Sequence, residues 1–332
     1  MTLTALSSMG KEAPVLVVTP NTCIDVTTWL PSLVPGSVSR ATRTEVTAGG
    51  KGVNVCRTLR ALGDSPRLIG LSAASDPRLA ELLAAEGCDF LPVMHRGQTR
   101  LALILLEDAG RVSVVNGRGP EPHEWDHDEL LATIAEQVEL ARPAAVLCSG
   151  SLPPDVPATL YADVVAVGHA RGVAVFVDAA PAVLGATLAA EPDLVSPNLG
   201  EVESLLHGRT DEHVEEEGDD LVERCVAASR ELHSRGARRS VVTAGSHGAA
   251  LTTAEGTWWL DAVSVPVANP IGAGDSFLAG TSHALATGAD DVAAVRHGMA
   301  VAGAAVQHER GGMLDASLVP GILERMTQGV PA

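Results

Sequence analysis

Residues 269–277, NPIGAGDSF, place Gly272, Ala273 and Gly274 directly before a single acid, Asp275, with an apolar run from Phe277 behind it. Amides at the start of a helix have no intrahelical acceptor, and the helix dipole adds positive charge there. Residues this small let an anion come up to the backbone, so these amides would form an anion hole for a phosphoryl group in transfer. Asp275, at the same spot, would take a proton from an attacking hydroxyl. Taken alone, Asp275 reads at least as readily as a helix cap. Its chemistry therefore depends on what else the chain supplies.

A second glycine-rich segment, AGGKGVN at 48–54, precedes another helical pattern. Neither segment fits a familiar phosphate loop. The first-discussed segment lacks the third glycine of a dinucleotide fingerprint, and in AGGKGVN the residue after Lys51 is Gly52 where a P-loop needs Ser or Thr. CSGSLP (148–153) lacks the nucleophile elbow of a serine hydrolase. HEWDH (123–127) spaces His123 and His127 as helical metal ligands can be, but with no third ligand evident both read as surface residues.

The elements that would position these residues follow a regular plan. PVLVVTPN (14–21) suits a buried strand, and GVNVCRTLRALG (52–63) has helical spacing ended by glycine. LALILL (101–106) and VSVV (112–115) flank EDAGR as a hairpin. From about 128 the pattern alternates: helix 128–141, strand AAVLCSG, helix 157–171, strand VAVFVD, strand DLVSPN, helix 200–207, a helical segment ending near 235, and strand SVVTAG. A hairpin carrying Trp258 and Trp259 and two Ala-rich helices close the chain. Continuous apolar strands alternating with helices predict a parallel sheet covered on both faces. The hairpins of the first third predict a small separate sheet. The acidic run DEHVEEEGDD (211–220) reads as a solvated segment.

The chain has 332 residues, 46% hydrophobic but only 2% aromatic, so its core rests on Ala, Val and Leu. A formal charge of −18 argues against nucleic acid and anionic membrane as partners, and an anionic substrate would need a local cluster of cations. Cys23, Cys56, Cys88, Cys148 and Cys225 are odd in number and scattered, as expected of reduced core residues in a cytoplasmic protein. No signal peptide or apolar run long enough to span a membrane is read in the sequence.

NPIGAGDSFLAG (269–280) resembles the C-terminal signature of the ribokinase-like, or PfkB, family of sugar kinases, and GGKGVNVCRTLRALG (49–63) its N-terminal signature. The likeness runs from about Val15 to Gly312. TPNTCIDVT (19–27), QTR (98–100), NGRGP (116–120), CSGSLPPDVP (148–157) and SPNLGEVESLLHG (196–208) are similar to the branch that phosphorylates ketohexose phosphates, namely the 1-phosphofructokinase and tagatose-6-phosphate kinase branch. The resemblance implies a three-layer α/β/α sandwich with a mostly parallel central sheet and a small β-sheet lid. It implies one kinase domain over 13–320, lid strands from about 21–48 and 90–118, flexible termini at 1–12 and 321–332, and a homodimer formed through the lid.

It also implies roles. Asp275 would be the base, with the Gly272, Ala273 and Gly274 amides as anion hole. Asp25 would hold sugar hydroxyls, and Gly49, Gly50 and Asn54 would line the sugar pocket. Lys51 and Arg100, with Ser151 nearby, would bind the phosphate already on the sugar, which meets the need for local cations; Lys51 alone could equally be an ordinary exposed lysine. Asn198, Thr243 and Gly245 would contact ATP, and Glu201 would organise Mg²⁺ through water; outside the family pattern, Asn198 and Glu201 would read as helix-start residues. The sequence departs from the pattern at Pro20, Thr22, Ala102, Ser196 and the DAAP segment (178–181). A kinase of an unphosphorylated sugar or nucleoside remains an alternative, as does a sugar-phosphate sensor that no longer catalyses.

Overall fold

The computed structural model describes residues 13–208, 218 and 220–332. The leading segment 1–12 and, apart from Gly218 and Asp220, the acidic run 211–220 lie outside the described residues. In chain order the elements are β1 (Val15–Val18), β2 (Cys23–Leu30), β3 (Arg43–Gly49), α1 (Lys51–Ala61), β4 (Pro66–Ala73), α2 (Arg78–Ala85), β5 (Asp89–His95), β6 (Leu101–Glu107) and β7 (Val112–Asn116). Then follow α3 (His127–Ala141), β8 (Ala145–Ser149), α4 (Leu160–His169), β9 (Ala174–Asp178), α5 (Pro181–Thr187), β10 (Leu194–Val195), α6 (Leu199–His207), α7 (Leu221–Ser234) and β11 (Ser240–Thr243). The last are β12 (Gly248–Thr253), β13 (Gly256–Asp261), α8 (Ala273–Ala286), α9 (Asp291–Ala305), α10 (Val319–Arg325) and β14 (Val330–Pro331).

Ten strands form one sheet in the order β14-β13-β12-β11-β10-β9-β8-β1-β4-β5. From β11 to β5 all neighbours run parallel; β12, β13 and β14 add on antiparallel. Strand alternation divides β1 between two cores. Val15 and Val17 join residues of α1, α2, α8 and α9 on one face, whereas Leu16 and Val18 join α3, α4, α6 and α7 on the other. Each fully buried aliphatic side chain contributes about 1.5–3 kcal/mol, so both helical layers are held by many small increments. This is the ribokinase-like three-layer arrangement the sequence predicts.

The second sheet has the order β3-β2-β6-β7. β2 pairs with β3 antiparallel and with β6 parallel, and β6 turns back into β7. Two differences from expectation appear. β5 (Asp89–His95), which falls largely in the range assigned to the lid, is instead the parallel edge of the main sheet, in register with β4; its apolar run fits that edge as well as a lid strand. The tail expected to be loose from 321 continues α10 to Arg325, and Val330 and Pro331 pair with Trp259 and Trp258 of β13. Proline is tolerated there because β14 is an edge strand.

Candidate active site

Three helices begin at one cleft. α1 starts at Lys51 after Gly50, α6 at Leu199 after Asn198, and α8 at Ala273 after Gly272. The carboxyl ends of the parallel strands β1, β8, β9 and β10 open onto this cleft through Thr19, Gly150, Ala180 and Asn198, where open α/β sheets bind ligands, whereas α1 enters from β3 of the small sheet and α8 from the loop after β13. The cleft, about 450 Å³, lies between those ends and the small sheet. Asp25, Ala102, Ile104, Val114 and Asn116 of the small sheet face it from above, with Arg100 just before β6. It gathers Asp25, Gly50, Lys51, Asn54, Arg100, Ser151, Asn198, Glu201, Gly272, Ala273, Gly274 and Asp275 from six separate stretches of sequence.

Gly272 takes a left-handed conformation (φ 84°) just before α8, and an added Cβ would press on the amide of Gly312. Only glycine meets both demands. The Ala273 amide reaches Pro270 O at 3.3 Å; among the described residues the amides of Gly272, Gly274 and Asp275 meet no backbone acceptor. The amides left without a backbone partner at this helix start are thus those flanking Ala273 rather than that of Ala273 itself.

Asp275 is 4% exposed, and its Oδ2 accepts a 2.8 Å hydrogen bond from Asn54 Nδ2. Burial pushes its carboxyl up to about 7; Lys51 and the Asn54 hydrogen bond oppose that shift, and Asp178 and Glu201 add to it. Asn54, expected in the sugar pocket, lines the cleft and also serves the acid directly.

Lys51 lies among carboxylates: Nζ is 3.1 Å from Asp178 Oδ2 and 3.8 Å from Glu201 Oε1. Burial disfavours its charge, yet Asp178, Glu201 and Asp275 together hold its pKa above that of an ordinary lysine. Two-fifths of its side chain is exposed. Arg100 is placed differently. Its Nε donates to Gly117 O (2.7 Å), Nη1 to Asn21 O (2.8 Å) and Nη2 to Asn116 Oδ1 (3.1 Å), so three neutral oxygens aim a guanidinium that hydrogen-bonds no carboxylate among the described residues. Asn21 also ties Ser151 into the site, donating to Ser151 Oγ at 3.1 Å.

Asp25 sits on β2 opposite Thr47 and Ala102 and accepts from Cys23 Sγ at 3.2 Å. Burial raises its pKa, while Cys23, Arg57 and Arg100 work to lower it. Gly49 is required beside it, because a Cβ there would run into the Asp25 carboxylate. Asn198 and Glu201 form a reciprocal cap: Glu201 N donates to Asn198 Oδ1 (2.8 Å) and Asn198 N to Glu201 Oε2 (2.9 Å). The helix-start reading of this pair is therefore realised, and the pair faces the cleft as well. Thr243 and Gly245 stand apart: Thr243 bridges to Asn198 and Gly245 lies in the turn from β11 to β12, and neither is among the residues lining the cleft.

Sequence reasoning passed over Asn21, Arg57, Asn116 and Asp178 as site residues. A signal existed for Arg57, which lies three residues after Asn54 on the same helix face. Asp178 stood out only as the surviving acid of DAAP. His123 falls in a short 3₁₀ turn and His127 opens α3, so they do not share one helix; among the described residues no group of three or more His, Cys, Asp or Glu side chains is placed to hold a metal. No helix among them is long and apolar enough to cross a membrane.

A ribokinase-like sheet, unpaired amides at a helix start, a buried acid and a covering sheet together fit the class of sugar kinases. Comparison with known proteins narrows it: residues 13–315 match the pfkB family carbohydrate kinase model, and the chain belongs to that family. It is 31% identical to a 1-phosphofructokinase of Rhodobacter capsulatus over 281 residues, 83% of this chain and 85% of the relative. Phosphofructokinase-2 from Escherichia coli, solved in complex with fructose-6-phosphate, superposes with a TM-score of 0.79 at 26% identity, covering 94% of this chain and 98% of that one. Arabidopsis thaliana ribokinase, at 22% identity and TM-score 0.72 over 94% and 99% of the two chains, shares the fold. The protein is an ATP-dependent sugar kinase of the phosphofructokinase type.

Proposed function

We propose that the enzyme transfers the γ-phosphoryl group of ATP to a primary hydroxyl of a phosphorylated ketohexose: fructose 1-phosphate, fructose 6-phosphate or tagatose 6-phosphate. The observation that carries this is the pairing, in one cleft, of a buried acid poised near neutrality with Arg100, an arginine held only by neutral oxygens. Asp275 accepts the hydroxyl proton, and the amides around the start of α8 face the transferring group. Asp25 accepts from sugar hydroxyls, and Arg100 meets the phosphate already on the sugar with its planar, donor-rich head. The relatives' names, 1-phosphofructokinase and a phosphofructokinase-2 complexed with fructose-6-phosphate, support a phosphorylated ketose.

Mg²⁺ suits the donor set. The available groups are hard oxygens (Asp178, Glu201), the donors Mg²⁺ takes, and an ion that keeps several waters can lean on nucleotide phosphates for the rest. When bound it would offset phosphate charge; Glu201 would hold one of its waters. Lys51, ringed by carboxylates at that end, is better placed for the phosphoryl in transit than for the sugar's own phosphate.

That placement also favours a second reading. With Lys51 engaged, Arg100 is left to distinguish phosphorylated from free sugars, and a kinase of a free sugar would not need it. ADP release should be followed with MgATP and fructose 1-phosphate, fructose 6-phosphate, tagatose 6-phosphate, fructose and ribose. Turnover on one ketose phosphate is expected. Arg100→Met should raise its KM by about 10- to 1,000-fold, the loss of a charge-assisted bidentate contact. Turnover on free sugars alone, indifferent to Arg100→Met, would establish the second reading. Binding of a sugar phosphate without any turnover would point to a sensor.

The outer face of the lid supports a homodimer. Val46, Val26, Leu103 and Val115 line up in register across all four strands, with Val46 53%, Leu103 42% and Val115 57% exposed. A continuous apolar row of this kind marks an interaction surface. Leu103→Glu is expected to weaken self-association by about 30-fold or more, read by sedimentation equilibrium against a 34.1 kDa monomer, with the circular dichroism unchanged.

A further inference from the structure

Arg57 does not itself line the cleft, yet it ties Asn54 to the end of β3, to the residue after α2 and to Gly311. It is 9% exposed on α1. Nε and Nη2 bind Glu86 Oε2 and Oε1 at 2.7 and 2.6 Å, a two-pronged anchor just after α2. Nη2 also donates to Ala48 O at the end of β3 (2.8 Å) and Nη1 to Gly311 O (3.5 Å). The remaining contact matters most: Nη1 donates to Asn54 Oδ1 at 3.1 Å.

A primary amide has an accepting end and a donating end, and only one orientation serves a carboxylate. With Asn54 Oδ1 held by a guanidinium, Nδ2 must point the other way, and there it meets Asp275 Oδ2 at 2.8 Å. We infer that Arg57 is a positioning residue, which fixes the Asn54 amide so that it donates to Asp275, with Glu86 as the anchor of the chain. This rests on the reading of Asp275 as the base.

An unfixed Asn54 would spend part of its time with oxygen toward Asp275, and a carboxylate that loses a donor is harder to ionise. The other groups facing Asp275 are Lys51 from α1, Asp178 from the end of β9 and Glu201 from α6, and none of them contacts Arg57. Their influence therefore stays in place when Arg57 is changed. The expected signature is a displaced acid limb of the pH–kcat profile, with activity recovered at high pH. A residue serving stability alone would lower activity at all pH values alike.

The test is the pH–kcat profile from 5.5 to about 9.5 for wild type, Arg57→Met, Arg57→Lys and Glu86→Gln. It uses MgATP with the ketohexose phosphate that turns over in the panel above, and Asp275→Asn runs beside them. In Arg57→Met the acid limb should move up by about one unit, so that kcat at pH 6 falls about tenfold and at pH 9 stays within about threefold of wild type. Glu86→Gln should move it the same way by less. Should Arg57→Met fail to fold, a displaced limb in Glu86→Gln upholds the inference and an unmoved one overturns it. If Asp275→Asn abolishes turnover while the limb stays put in all the Arg57 and Glu86 variants that fold, the inference fails and the base survives. If Asp275→Asn keeps its turnover, the base reading itself falls, and this inference with it.

Discussion

Asp275→Asn is expected to lower kcat by about 10²- to 10⁴-fold, with little change in the KM for the sugar. Asparagine keeps the size of the side chain and the start of α8 but cannot take the hydroxyl proton. The wild-type carboxyl, pushed by burial to about 7, is ionised at slightly alkaline pH and protonated below neutrality. A base works only when ionised, so wild-type kcat should fall as pH drops through about 7, whereas the residual rate of the asparagine variant should not follow that limb. The amides at the α8 start stay in place, so the variant should keep ATP affinity. Steady-state kinetics across pH 5.5–9.5 would check both points. A kcat within threefold of wild type at pH 8 would remove Asp275 from the chemistry.

How well the sequence foretells this site depends on the scale of the interaction concerned. The alternation of apolar strands and helices is a matter of period, and the two-faced burial of β1 follows from it directly. The glycine at 272 is legible because a left-handed backbone before a helix is a local requirement, whereas the need for Gly49 comes from Asp25 on the neighbouring strand. Which partner a charge finds across the fold is not local. Lys51 and Arg100 read alike as phosphate-seeking cations, but the end of β9 brings Asp178 to one and the β7 turn brings only neutral oxygens to the other. The lid shows the same limit. Arg43 and Glu45 of β3 pair with each other, and with Glu309 and Arg310 beyond α9 at 3.0 Å each, fastening the small sheet to the body. Their separation in sequence hides that entirely. Likewise β5 carries an apolar run that suits either sheet, and only its register with β4 decides which.

Lys51→Met is expected to lower kcat by about 10²- to 10³-fold, the usual effect of removing one preorganised donor to developing charge, and to displace what activity remains toward alkaline pH. Two consequences combine. First, the ammonium at the Asp178–Glu201 end of the cleft is lost to the phosphoryl in transit. Second, Asp178, Glu201 and Asp275 are left facing one another without the cation that now offsets them. Lys51 lowers the Asp275 pKa, whereas the two other carboxylates raise it. Without the lysine the base therefore titrates above 7, and the acid limb must move up; a downward movement would contradict the placement of these charges. Lys51→Arg should not restore the rate, since a planar fork on a longer stem cannot replace a point charge held among three carboxylates. The same variants separate the two assignments of Lys51. If it serves the transferring group, the loss appears in kcat with the sugar KM nearly unchanged; if it serves the phosphate already on the sugar, the loss appears mainly in that KM and vanishes for an unphosphorylated acceptor.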